Sequence, residues 1–174
     1  MRIHTFQAGL LAACIVSSPV LSEEICYERT GQFAKLRHCV TSVRPAESGT
    51  NFGPEHLAAT DDGAWCASAD GTQTITLRLQ PRAPLRTVTM TNGYAQSADT
   101  FRQNGRIKRA MIETDSGYKG MIAVRDSRAA QKFVIAKGNY AWVRLTVLES
   151  IRGSANPNVC LSEFLVNLEE LADK

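Results

Sequence analysis

Residues 72–79 read T-Q-T-I-T-L-R-L, which sets Ile75, Leu77 and Leu79 on one side of an extended chain and Thr74, Thr76 and Arg78 on the other. Alternation with a period of two marks a strand with one buried face. The pattern recurs along the chain. At residues 87–91 Val88 and Met90 alternate with threonines, and residues 106–114, 120–124, 132–136, 141–148 and 161–166 supply further candidate strands. Turn formers separate them at Pro81-Arg82-Ala83-Pro84, Asn92-Gly93, Asn104-Gly105, Ser116-Gly117, Gly138-Asn139 and Gly153-Ser154-Ala155-Asn156-Pro157. Helical periodicity is hard to find. Many short strands at this spacing imply an all-β protein, an antiparallel sandwich or barrel.

The chain opens with a basic start (Arg2, His4), an apolar run over residues 8–16, and then Ser17-Ser18-Pro19-Val20-Leu21-Ser22. This three-part pattern predicts a secretory signal peptide over residues 1–22 and a mature start at Glu23. A rival reading takes Leu11-Ala12-Ala13-Cys14 as a lipoprotein box, with Cys14 lipidated at the new terminus. The run before Cys14 is short and interrupted by Gln7, and apolar residues continue through Ile15 and Val16, which favours ordinary cleavage and a secreted or periplasmic protein. No segment approaches the roughly 20 apolar residues that span a bilayer.

Cleavage leaves Cys26, Cys39, Cys66 and Cys160, an even number in an exported chain, which argues for disulfides. Of the three possible pairings, Cys26–Cys39 with Cys66–Cys160 is favoured, because the first closes a short loop that alone restricts the unfolded chain by about 3 kcal/mol. The second then joins an early loop to the last strand. Zinc is the alternative, but there is no Cys-x-x-Cys and His38 and His56 are the only histidines after the leader. The formal charge of +3 becomes +2 when Arg2 leaves (3 − 1), too small a bias to imply a nucleic-acid or membrane partner. Residues 23–40 are less regular and read as a disulfide-clipped N-terminal extension, residues 41–168 as the sandwich, and residues 169–174 as an acidic tail.

Gly-x-Ser-x-Gly, Gly-x-Gly-x-x-Gly and His-Glu-x-x-His are absent, and both remaining histidines precede the expected sheet in irregular sequence. Acids such as Asp61, Asp62, Asp115, Glu149 and Glu163 are present, but any domain of this size carries such residues and no pair can be nominated. The expectation is a protein that is not an enzyme.

Residues 91–108, T-N-G-Y-A-Q-S-A-D-T-F-R-Q-N-G-R-I-K, carry amides, guanidinium groups, an ammonium and two aromatics, with no His, no Cys and one acid, Asp99. That is the chemistry of recognition. The chain resembles a bacterial branch of the discoidin-like, galactose-binding-like superfamily, the coagulation factor (F5/8) type C domain found in the translocation region of secreted NAD glycohydrolases. Three blocks carry the resemblance. The first is Asp61-Asp62-Gly63-Ala64-Trp65-Cys66. The second follows a pattern close to N-G-Y-x-K-S-x-x-x-Y-x-x-N-x-R-I-K, matched by Asn92, Gly93, Tyr94, Ser97, Asn104, Arg106, Ile107 and Lys108. The third is V-R-L-T-V at residues 143–147 with C-L-S-E-F at residues 160–164. The chain departs from the pattern at Gln96, where a lysine is usual, and at Phe101, where a tyrosine is usual.

The resemblance implies a jelly-roll β-sandwich, a binding role with a glycan or glycoconjugate as ligand, and no NAD-cleaving activity. An envelope protein docked on the basic stretch from Arg102 to Arg109 is the alternative partner. The candidate glycan-binding residues are Tyr94, Phe101, Asn104, Arg106 and Lys108: aromatic faces pack against sugar C–H groups while amides and cations bond hydroxyls. Structural readings compete with each. Asn92-Gly93 suits a tight turn, the two aromatics could anchor the loop, and Asn104 or Arg106 could satisfy buried backbone. Trp65 reads as core and Trp142 as the second-choice stacking residue. Arg144 and Glu163 read as a buried ion pair. No cofactor is expected, although related sandwiches hold a structural calcium, here between Asp61 or Asp62 and Glu163.

Overall fold

The computed structural model describes residues 23–31, 34–59, 61–68 and 71–167. The expected leader with Cys14, and the acidic tail, lie outside them. Eight strands form: β1 (Ile25–Thr30), β2 (Lys35–Val40), β3 (Trp65–Cys66), β4 (Thr74–Asn92), β5 (Arg106–Thr114), β6 (Lys119–Ala123), β7 (Gln131–Ile151) and β8 (Cys160–Val166). A 3-10 turn (Pro54–Ala58) and one short helix, α1 (Ala98–Gln103), complete the described elements. Every strand pairing is antiparallel.

The alternation at residues 72–79 does what its period requires: Ile75 and Leu77 are fully buried and Leu79 nearly so, while Arg78 is exposed. β4 and β7 are long because they serve both layers of a sandwich. The first part of β4 pairs with β2 and with the second part of β7, giving the order β1-β2-β4-β7-β5-β6. Beyond register shifts after Arg78 and Leu85, β4 pairs with the start of β7 on one side and with β8 on the other, and β8 carries β3. Val40, Ile75, Leu77, Ile112 and Leu145 from the first layer meet Trp65, Val88, Met90 and Phe164 from the second in one core. Each such side chain contributes about 1.5–3 kcal/mol by leaving water.

Several expectations need correcting. Pro81-Arg82-Ala83-Pro84 does not end a strand, and neither does Gly138-Asn139. Ala83 lies opposite Tyr140 and Pro84 opposite Asn139, so the two candidate strands on each side fuse into β4 and into β7. The register shift between Arg78 and Ala83 takes Pro81 out of the ladder, where its missing N–H costs nothing. His38 is not in irregular sequence but in β2. The segment expected as an extension contributes a hairpin whose second strand pairs with β4.

Both disulfides form as expected, Cys26–Cys39 and Cys66–Cys160. Each joins residues directly opposite one another, the first across β1 and β2, the second across β3 and β8. The second spans 94 residues of sequence and ties the short strand β3 to the last strand.

His38 points into the core with no exposed surface, and its Nε2–H donates to the Phe164 carbonyl 2.8 Å away, linking the two layers. Nδ1 is buried without a partner, so a second proton there would be stranded. Burial is the main reason its pKa falls from 6.5 to about 4, against the hydrogen bond to Phe164, which raises it. Below pH 6.5 the unfolded chain takes up a proton that the folded chain refuses, so stability is lost as pH falls through 6.5 toward 4, by about 3 kcal/mol in all. His38→Gln keeps an N–H for Phe164 but cannot titrate. Its melting temperature should fall less steeply than that of the parent between pH 6.5 and 4, and an unchanged slope in differential scanning calorimetry would show that another group titrates.

Candidate functional site

The connection from β4 to β5 is built from its buried ends outward. Asn92, fully buried at the end of β4, donates from Nδ2 to the Ile107 carbonyl at 2.8 Å and accepts the Ile107 N–H on Oδ1 at 3.0 Å. The side-chain amide thereby replaces a ladder partner for β5. Gly93 follows at φ +69°, where a Cβ would lie 2.8 Å from the Phe101 ring, so glycine is required on both counts. Ser97 starts α1 with a capping box: its Oγ accepts the Thr100 N–H while its own N–H donates to Thr100 Oγ1. The loop after β7 caps the other end, with Ala155 and Asn156 N–H groups donating to the Gln103 carbonyl. Gly153 packs so closely on the backbone of Gln103 and Asn104 that a side chain would not fit.

This frame opens a concavity of about 300 Å³ whose lining includes Arg44, Phe52, Tyr94, Gln96, Gln103 and Asn104. Its floor is fixed. The Arg44 guanidinium stacks 4.5 Å above the Phe52 ring, bonds Glu47, and donates to Asn104 Oδ1 at 3.2 Å. Phe52 meets Tyr94 edge to face at 6.4 Å. By contrast, the Tyr94 hydroxyl and the side-chain amides of Gln96 and Gln103 bond no described residue. Burial, and then the charges of Asp61 and Asp62, push the Tyr94 phenol above its usual pKa, so it keeps its proton as a donor.

Tyr94 and Asn104 of the five candidate residues reach this concavity. Asn104 is 5% exposed, and besides Arg44 it engages Asn156 and the Thr100 carbonyl. Arg106 is buried behind the loop: it holds Asp126 through two bonds of 2.7 and 3.1 Å, donates to the Phe101 and Asn104 carbonyls, and stacks on Phe101 at 4.8 Å. Phe101 and Arg106 are therefore scaffold. Lys108 sits farther along β5, on Glu149 at 3.3 Å. Each cation of the basic stretch has a carboxylate partner, Arg102 with Asp99, Arg106 with Asp126, and Arg109 and Lys108 sharing Glu149, whose carboxyl these last two hold below its usual pKa. Sequence reasoning missed Arg44, Phe52 and Gln103. The first two lie in the irregular segment between β2 and β3, where no local pattern signals them.

A second concavity, about 360 Å³, adjoins the first at Gln96 and is lined by Asp61, Asp62 and Glu163 among others. The three carboxylates do not by themselves form a calcium cage: Asp61 Oδ1 accepts from His56 and the Gly63 N–H, Glu163 accepts from Thr91, and the ligand atoms of the three do not all lie within 4.8 Å of one another. Among the described residues the set that does is Glu24 with Cys26 and Cys39, whose sulfurs are bonded together. Burial pushes the Asp61 carboxyl up, but the bonds from His56 and Gly63 outweigh it and hold the group below its usual pKa. Both ring nitrogens of His56 are occupied, by Asp61 at 2.7 Å and by Asn51, leaving none to activate a nucleophile. The expected Arg144–Glu163 pair does not form; Arg144 bonds Thr76 and stacks on Trp142. Trp65 is core, as expected.

The sequence profile of the NAD glycohydrolase translocation F5/8 type C domain matches residues 27–167. No curated protein matches the chain in sequence. Among solved structures, the fold is similar to CpGH89CBM32-5 from Clostridium perfringens in complex with GalNAc-β-1,3-galactose, with TM-score 0.57 and 17% identity over 75% of this chain and 94% of that one. The family 32 carbohydrate-binding module from Streptococcus pneumoniae EndoD gives TM-score 0.55 and 13% identity over 74% and 94%. The family 32 module from C. perfringens NanJ, in complex with galactose, gives 0.55 and 11% over 75% and 92%. At such identities the likeness is one of fold.

Arg106→Ala should cost about 2–4 kcal/mol of stability, because it leaves two loop carbonyls without a donor and removes the partner of Asp126. Lys108→Ala, at an exposed pair, should stay within about 0.5 kcal/mol of the parent. Urea denaturation distinguishes them, and equal effects would contradict the scaffold role.

Proposed function

Since the chain belongs to the NAD glycohydrolase translocation F5/8 type C domain family, we propose that it is an exported, non-catalytic module that binds the end of a glycan in the concavity beside Tyr94. The observation that carries this reading is the contrast within one cavity wall. Arg44, Phe52 and Asn104 are locked together, whereas the Tyr94 hydroxyl and the Gln96 and Gln103 amides are left unengaged by the protein. The Tyr94 ring, steadied by its edge contact with the buried Phe52 and set beside donors and acceptors without protein partners, suits a pyranose, which offers C–H groups on one face and hydroxyls around its edge. Galactose and N-acetylgalactosamine are the sugars to try first, since the modules of similar fold hold them.

The non-catalytic reading draws support from the same residues. Glu47, the carboxylate in this concavity, is already bonded to Arg44, and the neighbouring His56 has no vacant nitrogen. Export draws support from the two disulfides, which persist in oxidising compartments. No described helix is long and apolar enough to cross a membrane. Protein docking through the basic stretch is the poorer reading, because its cations already have intramolecular carboxylates.

Isothermal titration with galactose and N-acetylgalactosamine tests the proposal. A monosaccharide has few atoms to contribute, so a dissociation constant on the order of 1 mM is expected. Gln103→Ala should weaken it by about tenfold with melting temperature unchanged, and Tyr94→Ala should weaken it as much while lowering the melting temperature somewhat, because Tyr94 packs on Phe52. Binding that ignores both substitutions, or no binding across a broad glycan array, would overturn the proposal.

A further inference from the structure

The outer face of the first layer carries a second constellation. Register places Glu28, Arg37, Arg78 and Trp142 side by side in one row across β1, β2, β4 and β7. A concavity of about 330 Å³ lies over this row, with Leu79, Ala141 and Trp142 as its apolar wall and Lys35, Arg37 and Arg78 among its polar groups. The Arg144 guanidinium stacks 5.1 Å from the Trp142 ring and is steadied by Thr76 Oγ1 at 3.1 Å.

The charge of this face is not balanced internally. Lys35 pairs with Glu28 at 3.4 Å and Arg78 with Glu24 at 2.7 Å. Arg37, exposed, has no carboxylate partner among the described residues, and Arg144 bonds only a hydroxyl and the indole. Four cations against two carboxylates leave two positive charges. In register Arg37 stands between Glu28 and Arg78; Glu28 is drawn to Lys35 and Glu24 to Arg78, which leaves Arg37 beside a like charge without a carboxylate bond of its own.

We propose that this face is a second binding site, separate from the Tyr94 concavity, for an acidic polysaccharide built of uronic acid units. The ligand lies across the strands. Neighbouring strands are about 4.8 Å apart, close to the advance of one pyranose unit along an extended chain. One sugar ring rests its C–H face on Trp142 with its carboxylate toward Arg144, and the carboxylate two units on meets Arg37; neither guanidinium group has a carboxylate partner among the described residues, and their forked shape matches a planar carboxylate. One charge per sugar suits a surplus of two. A nucleic acid would call for a stronger basic field than a chain of formal charge +3 supplies.

The test uses the full disulfide-bonded chain and trigalacturonate as probe, with neutral β-1,4-galactotriose as control. The chain has two tryptophans and Trp65 is fully buried, so a fluorescence change reports Trp142. Trigalacturonate should change the emission saturably, and more weakly in high salt. Arg37→Ala, at an exposed position, should raise the dissociation constant about tenfold with melting temperature unchanged. Trp142→Ala should abolish binding by calorimetry, Tyr94→Ala should leave it intact, and galactotriose should leave the emission unchanged. The proposal is overturned by no saturation up to about 10 mM, by binding that depends on Tyr94 but not Arg37, or by equal binding of a single-stranded oligonucleotide or polyglutamate. Since Tyr94→Ala and the neutral sugars interrogate the other concavity, failure here leaves that reading standing.

Discussion

Asn92 does with one side chain what a neighbouring strand would do with its backbone. Its amide meets both the N–H and the C=O of Ile107 in a fully buried position, so the end of β4 and the start of β5 are held together at both ends of a two-bond ring. Loss of that ring would strand two buried backbone groups, each costing about 1–3 kcal/mol. Everything between these residues is thereby closed into a loop of fixed span. Gly93 supplies the backbone turn and the space for Phe101. Arg106, one residue before Ile107, then reaches back under the loop to hold two of its carbonyls. The proposed recognition surface is the outside of this closed loop, set against Arg44 and Phe52 from the segment between β2 and β3.

Holding the frame rigid has a consequence for affinity. Groups already fixed by intramolecular bonds lose little freedom when a ligand arrives, and a small ligand such as a sugar has little binding energy to spend on ordering a loop. Arg44 is held by stacking and by two side chains, and Tyr94 by its edge contact with Phe52. What stays unengaged includes the phenol and the glutamine amides. The acidic concavity next door has the opposite character: its carboxylates spend themselves on His56, Gly63 and Thr91. The bonds of His56 to Asn51 and Asp61 tie residues on either side of the 3-10 turn together close to Phe52.

Much of the fold could be read in the sequence. The alternation at residues 72–79 set the buried face, β5 runs over the residues expected, and the cysteine pairing followed from a short local loop. The fusion of candidate strands into β4 and β7 was not legible. Proline and glycine normally punctuate strands, and only the pairing of Ala83 with Tyr140 and Pro84 with Asn139 shows that here they mark register shifts in continuous strands. The site was half legible. The segment carrying it was identified, yet Asn104 and Arg106 have the same polar groups whether they face a ligand or a carbonyl, and burial alone decides. Arg44 and Phe52 reach the loop through long-range packing, which leaves no local trace.

The central claim is that the closed β4–β5 loop and the Arg44–Phe52 pair form one preorganised sugar site. A crystal structure of the protein soaked with galactose tests it most directly. The account predicts a pyranose ring seated between Tyr94 and Arg44, its hydroxyls bonded by Gln96 or Gln103, with the loop backbone where it stands without ligand. A sugar seated elsewhere, or a loop that must rearrange to admit it, would contradict the account.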